Sequence, residues 1–340
     1  MSVFSKHFVM YESHIERGEW PWAVLIYDDD TYIGAGALVS GDVVVTAGHK
    51  VREYQGVGYK LKVRLGDWNP NGRDDKEDFD SIEMNVKCVT LHPEADLDDT
   101  LANNVAVLKL DGVLTQDRDD PRKKSVVRVV GLRDGLVRGD QPEKQNLNGG
   151  NSIIDVRLGL VADLSGQDPL GDGVDSLNNE AFPTSYINSI CLAGSSELSE
   201  YESRCWVASW GTDQQRQREV DLPILSRLIS SSLLSSLMIS FLRSECIRRL
   251  RPEFESRNVP NWSPQTSEVC AGGGDGDTCR GEGGAPLVCY HPGYDQFYLL
   301  GLVGYGFKCN NGLPGVYTNM ADPGVQDFVK SAIDNDFFCS

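Results

Sequence analysis

Breaking a peptide bond through a covalent acyl intermediate requires an oxygen or sulfur nucleophile, an imidazole to take its proton, and a carboxylate to orient that imidazole. Three strings in the chain bear on such a set: TAGHK at 46–50, NNVAVLKL at 103–110 and GEGGAPLVC at 281–289. They supply an imidazole, His49, and a carboxamide, Asn104. The glycine-rich string has Gly281, Gly283 and Gly284 but no hydroxyl. The motif G-x-S-x-G, which would signal a serine nucleophile on a strand-to-helix turn, occurs nowhere. His49 is then either a leftover ligand or weak base, or a partly buried side chain around which its neighbours pack.

A second cluster is acidic. Asp67, Asp74 and Glu77 run from the string RLGDW at 64–68, with the backbone oxygens of Asn69 and Gly72 between them. Hard cations take several oxygen ligands in a flexible loop, which makes this a candidate calcium loop. Asp75, Asp78 and Asp80 allow the alternative of a solvated acidic turn. No other cofactor is read from the sequence. The sequon Asn261-Trp262-Ser263 permits glycosylation in a secretory route.

Charge narrows the partners. Fifty acidic against 32 basic residues give a net charge of −18, which repels phosphate backbones and offers no basic patch for nucleic acid. Nine cysteines in 340 residues point to an oxidising, extracellular compartment. The apolar run at 228–243, LISSSLLSSLMISFLR, is shorter than the ~20 residues of a spanning helix, so no membrane association is expected.

The elements that must position these residues read as short strands. Runs at 23–28, 32–40, 42–47, 61–68, 105–110 and 297–306 are rich in β-branched and aromatic residues and are broken by turn formers. Near the end, Val325, Phe328, Val329 and Ala332 recur at helical spacing, which predicts a helix over about 323–333.

The strings TAGHK, NNVAVLKL, CWVASWG at 205–211, EVCAGG at 268–273, GEGGAPLVC, GLVGYG at 301–306 and PGVYTNM at 314–320 follow one another as in the chymotrypsin/trypsin-like serine proteases, which this chain resembles over about three quarters of its length. The resemblance implies an all-β fold of two packed Greek-key β-barrels with a C-terminal helix, over 18–340, after a remnant at 1–17. It places the triad positions on His49, Asn104 and Gly283, so one member of three survives. Glycine cannot form an acyl-enzyme, and asparagine at the orienting position favours the wrong histidine tautomer, at a cost of about 10⁴ in turnover. Loss of the nucleophile alone costs about 10⁶.

The same resemblance assigns a basic-specific pocket to Asp277, Gly306 and Gly315, with a solvated or blocked Asp277 as the alternative. It puts the oxyanion-hole amides at Gly281 and Gly283. In active relatives an amino terminus freed by cleavage pairs with the residue at Glu282. The corresponding segment near Val9 lacks the cut-site arginine and the glycines that follow it, so that activation is not expected. It implies the disulfides Cys205–Cys289, Cys246–Cys270 and Cys279–Cys309. A bridge that normally spans the histidine loop is missing at both ends, with Gly34 and Lys50 in its place, so a looser loop is expected around His49. Of the remaining cysteines, Cys88 and Cys339 are left to pair with each other, and Cys191 matches a position that tethers an amino-terminal segment in two-chain relatives.

Two stretches exceed the family's pattern. The one at about 115–181 is polar and poor in aromatics and is expected to lack ordered structure. The other, 228–243, interrupts a strand-to-helix connection; either is unspliced sequence or a lineage-specific loop. The first residues lack the apolar run of a signal peptide, so the start is expected to be internal to a longer precursor. The wording of GEWPW, KVRLGDW, REVDLPIL and GEGGAPLVC is similar to that of insect clip-domain serine protease homologues of the prophenoloxidase-activating-factor type, without the six-cysteine clip module. That likeness implies a secreted, catalytically inactive cofactor or adaptor in melanisation, whose partners are a clip-domain protease, prophenoloxidase or a microbial surface. The alternative is an active trypsin-like endopeptidase with a non-standard site. 

Overall fold

Leu61, Val63 and Leu65 alternate with Lys62 and Arg64, and Met84 and Val86 with Glu83 and Asn85. This period of two lets each strand turn one face to a core and one to water. The computed structural model describes residues 18–56, 60–71, 81–98, 100–117, 126–130, 187–194, 204–211, 218–223, 235–273, 281–307 and 312–334. Six strands close the first barrel in the order β1-β2-β3-β6-β5-β4: β1 (Ala23–Asp28), β2 (Thr31–Ser40), β3 (Val43–Thr46), β4 (Leu61–Leu65), β5 (Ile82–Leu91) and β6 (Ala106–Leu110). Arg64 stands opposite Glu83 in the β4–β5 register and bonds to it at 3.3 Å.

The second sheet is seven-stranded and antiparallel along its main path. Its order is β11 (Arg218–Pro223), β10 (Arg204–Ser209), β13 (Pro286–His291), β14 (Gln296–Tyr305), β15 (Pro314–Asn319) and β12 (Glu268–Gly272). The short β9 (Cys191–Leu192) lies parallel beside β14. β1 is buried on both faces for a topological reason. Val24 and Ile26 fill the first barrel, whereas Ala23, Leu25 and Tyr27 join Leu287, Leu299 and Tyr317 in a core shared with the second sheet.

The final helix, α3 (Pro323–Asp334), begins as its sequence dictates. Asp322 accepts hydrogen bonds from the amides of Gly324 and Val325 through Oδ1, and Pro323 occupies the first helical position. Val325, Phe328, Val329 and Ala332 are all buried. Lys109 of β6 reaches the helix end, donating to Ala332 O at 3.5 Å while pairing with Asp42 at 2.8 Å. The cation thus meets the negative end of the helix dipole.

Of the implied disulfides, Cys205–Cys289 and Cys246–Cys270 are formed; the second ties α2 (Ser235–Glu255) to β12. Cys279, Cys309 and Cys339 lie outside the described residues. Cys88 is disulfide-bonded, and Cys191 is a free, exposed thiol. Two expectations about the extra stretches change. Val126–Val130 forms a strand, β8, paired with β7 (Val113–Asp117), because Val126, Val127, Val129 and Val130 give this polar stretch a local β-branched run. Residues 235–243 continue into α2 as one helix and are no separate loop. No helix among the described residues is long and apolar enough to cross a membrane.

Candidate functional site

Three segments converge between the barrels. β3 ends at Thr46 and leads into the single turn α1 (Gly48–Val51), which carries His49. The loop before β6 carries Asn104, and the turn before β13 carries Gly283. Gly284 makes the close approach: its φ is +84°, and a Cβ there would stand 2.2 Å from Thr46 Oγ1 and 2.3 Å from Ala35 O. Only glycine fits such a position.

Asn104 holds His49 at two points. Its Oδ1 accepts the His49 backbone N–H at 2.9 Å, and its Nδ2 lies 3.0 Å from His49 Nδ1. Oδ1 lies 3.2 Å from the same Nδ1, so either group can make the bond; we assign the shorter contact, Nδ2 donating to Nδ1, which puts the ring proton on Nε2. Burial holds the imidazole below its usual pKa, and the nearby Lys50 cation adds to this. A general base needs Nε2 free of its proton, and in the assigned tautomer that nitrogen carries one. Asn104 is buried and its carbonyl accepts from Thr318 Oγ1 at 2.7 Å, tying the loop to β15. Replacing Thr318 by Val should cost about 1–2 kcal/mol in urea unfolding, the worth of one buried hydrogen bond.

Sequence reasoning named His49, Asn104 and Gly283, and the structure brings them together. A Cβ on Gly283 would stand 3.4 Å from His49 Nε2. It would also stand 2.3 Å from Lys50 Cε. Lys50 had been noted only as the replacement for a bridging cysteine. Its stem fills the space of that lost bridge, with Cγ and Cε each 3.4 Å from a Cβ built on Gly34. The Asn104 bond to His49 N ties this loop to the segment before β6. Desolvation lowers the Lys50 pKa. The signal for this was available: a long side chain replacing cysteine opposite a glycine.

The glycine-rich turn is tied from within. Tyr32 Oη donates to Gly281 O at 2.8 Å, Ser209 Oγ donates to Glu282 Oε1 at 2.8 Å, and Ala35 N donates to Gly283 O at 3.1 Å. Glu282 is buried and, with burial as the larger cause, holds the Tyr32 phenol protonated well above its usual range.

Of the implied pocket, Gly306 faces open space, for a Cβ there would meet nothing within 4 Å. Gly315 is buried and pairs with Ala271 across β12 and β15. Asp277 lies outside the described residues. So do Asp74, Glu77 and Gly72 of the candidate calcium loop. The remaining member, Asp67, is buried, with Oδ2 accepting from Arg64 at 3.3 Å and Oδ1 from Asn69 N at 3.1 Å. Desolvation raises its pKa, and Arg64 and Asn69 counter the rise.

Sequence reasoning missed a part-buried pair that joins β12 to β14. Glu268 Oε1 accepts from Tyr305 Oη at 3.0 Å and Oε2 from Gln265 N at 2.7 Å. Desolvation, outweighing both bonds, raises its pKa to about 7. Tyr305 also bonds to Trp262, which stacks on Phe254 with ring centroids 4.1 Å apart.

Comparison with known proteins agrees with this geometry. The family model described as Trypsin matches residues 11–145 and 173–328. The inactive CLIP domain-containing serine protease A3 of Aedes aegypti is 28% identical over 315 residues, covering 89% of this chain and 47% of that protein. Phenoloxidase-activating factor 2 of Galleria mellonella is 25% identical over 342 residues, 93% of this chain and 81% of that protein. Protein masquerade of Drosophila melanogaster is 26% identical over 311 residues, 89% of this chain and 21% of that protein. The chain therefore spans about half the length of the first relative and about a fifth of the third.

Proposed function

Because the chain belongs to the trypsin family, we propose that it is a serine protease homologue without peptidase activity, acting outside the cell as a cofactor or adaptor in a proteolytic immune cascade that leads to melanisation. The observation that carries this reading is the Lys50 stem, which stands where the side chain of a nucleophile would begin. Absence of a hydroxyl at 283 removes the acyl intermediate. In the assigned tautomer the Asn104 amide also keeps the proton of His49 on the nitrogen that would have to accept one.

What remains is a frame that can bind without cutting. Under this reading Gly306 and Gly315 keep a pocket open and Asp277 has the role of its acidic floor, since a carboxylate at the end of a narrow pocket pairs with an arginine or lysine cation. The partners are extracellular proteins of the cascade: a clip-domain protease, prophenoloxidase, or components of a microbial surface. The names of the Aedes and Galleria relatives support this class.

The test has two parts. The purified chain is expected to resist a fluorophosphonate serine probe and to leave a chromogenic arginine substrate uncut. Added to an active clip-domain protease with prophenoloxidase, it is expected to raise phenoloxidase output in proportion to its concentration. Turnover of casein that survives repurification would replace this reading with that of an endopeptidase, and an unchanged phenoloxidase output would remove the cofactor role.

A further inference from the structure

The amine of Lys50 lies one bond beyond a carbon that occupies the space of a nucleophile's Cβ. It makes no hydrogen bond or ion pair with the described residues. A half-buried cation without a counter-ion is costly and calls for an anion. The neighbouring imidazole is neutral and carries its proton on Nε2, so it adds a second donor to the same space. Two further donors follow in the turn: the backbone N–H groups of Gly281 and Gly283 have no acceptor among the described residues. The only carboxylate in that turn, Glu282, instead accepts from Ser209 on the buried side.

We propose that the dead catalytic centre is a carboxylate-binding site, in which Lys50, with His49 Nε2 and the amides of Gly281 and Gly283, receives the free carboxyl terminus of a peptide. This rests on the reading that the cleft still accepts a peptide with a basic terminal residue. It deepens that reading by fixing the chemical state of the partner. An uncut chain presents a neutral amide at this point, which would leave the lysine cation unpaired. A chain already cut after arginine or lysine presents a negative oxygen pair. The molecule would thereby discriminate a processed protein from its precursor, by binding the end that cleavage creates.

Gly34 and Gly283 carry no side chains and so leave room for the Lys50 stem: a Cβ on Gly34 would stand 3.4 Å from its Cε, and one on Gly283 2.3 Å.

Benzoyl-arginine and benzoyl-arginine amide differ only in this group, and their dissociation constants for the full chain can be measured by calorimetry. The acid is expected to bind about ten- to hundredfold more tightly than the amide, the worth of a charge-assisted hydrogen bond. Lys50→Met, which keeps the stem and removes the charge, should abolish the preference, and Lys50→Arg should restore most of it. Thermal unfolding of both variants checks that the fold persists. Equal binding of acid and amide to the wild-type chain would overturn the carboxylate site while leaving the basic pocket standing. A preference that survives in Lys50→Met would overturn the role of the amine. Failure of both ligands to bind would overturn the pocket reading and this inference with it.

Discussion

Gly283→Ser alone will not label with a fluorophosphonate probe, although it restores the missing hydroxyl. The new Cβ would stand 2.3 Å from Lys50 Cε, and no real pair of carbons approaches so closely. Either the flexible end of Lys50 shifts away or the serine leaves its place beside His49, and the second is the expected outcome. Adding Lys50→Ala removes the obstruction and should give the first detectable labelling. A third change, Asn104→Asp, replaces the amide that donates to Nδ1 by a carboxylate that accepts from it. The proton then moves to Nδ1 and Nε2 becomes a base. This step is expected to raise the labelling rate of the double variant by about 10⁴, the penalty for the wrong tautomer in such triads. Labelling of Gly283→Ser by itself would show that Lys50 yields freely and obstructs nothing.

The second large effect is on stability against pH. Glu268 has a folded-state pKa of about 7 against an ordinary 4.5, so the folded chain holds this proton more tightly than the unfolded one. The resulting stabilisation is complete below about pH 4.5 and is lost as pH rises through 7. A difference of this size corresponds to about 3 kcal/mol. Urea unfolding at pH 5 and pH 8 should show that much more decline in the wild type than in Glu268→Gln, which carries no proton to lose. Comparing the two chains removes the contribution of the other acidic residues. Parallel curves for wild type and variant would mean that Glu268 titrates as an ordinary surface carboxyl.

The first barrel was open to a reading of the sequence because its strands declare themselves locally. AVLIYD was placed at the residues where β1 is found, and the helical spacing of Val325, Phe328, Val329 and Ala332 marked the buried face of α3. β5 was missed, since its inward residues Met84, Val86 and Cys88 are separated by Asn85 and Lys87 and make no continuous apolar run. The triad positions could be named because each sits in a distinctive string. The role of Lys50 could not, because it depends on a distance between residues 233 positions apart, Lys50 and Gly283. Glu268 was hidden for a similar reason. A charged residue at the start of a strand reads as solvated, and only the packing of Tyr305 and Gln265 against it reveals otherwise.

The stacked Phe254–Trp262 pair gives the molecule an internal optical gauge. One indole rests on an aromatic ring while bonding to Tyr305, whose hydroxyl reaches Glu268. Its emission should therefore shift when that carboxyl gains or loses its proton, and again when a bound chain disturbs Tyr305. Proton release and occupancy of the cleft could then be followed in the unlabelled protein by steady-state fluorescence, with Trp262→Phe as the blank.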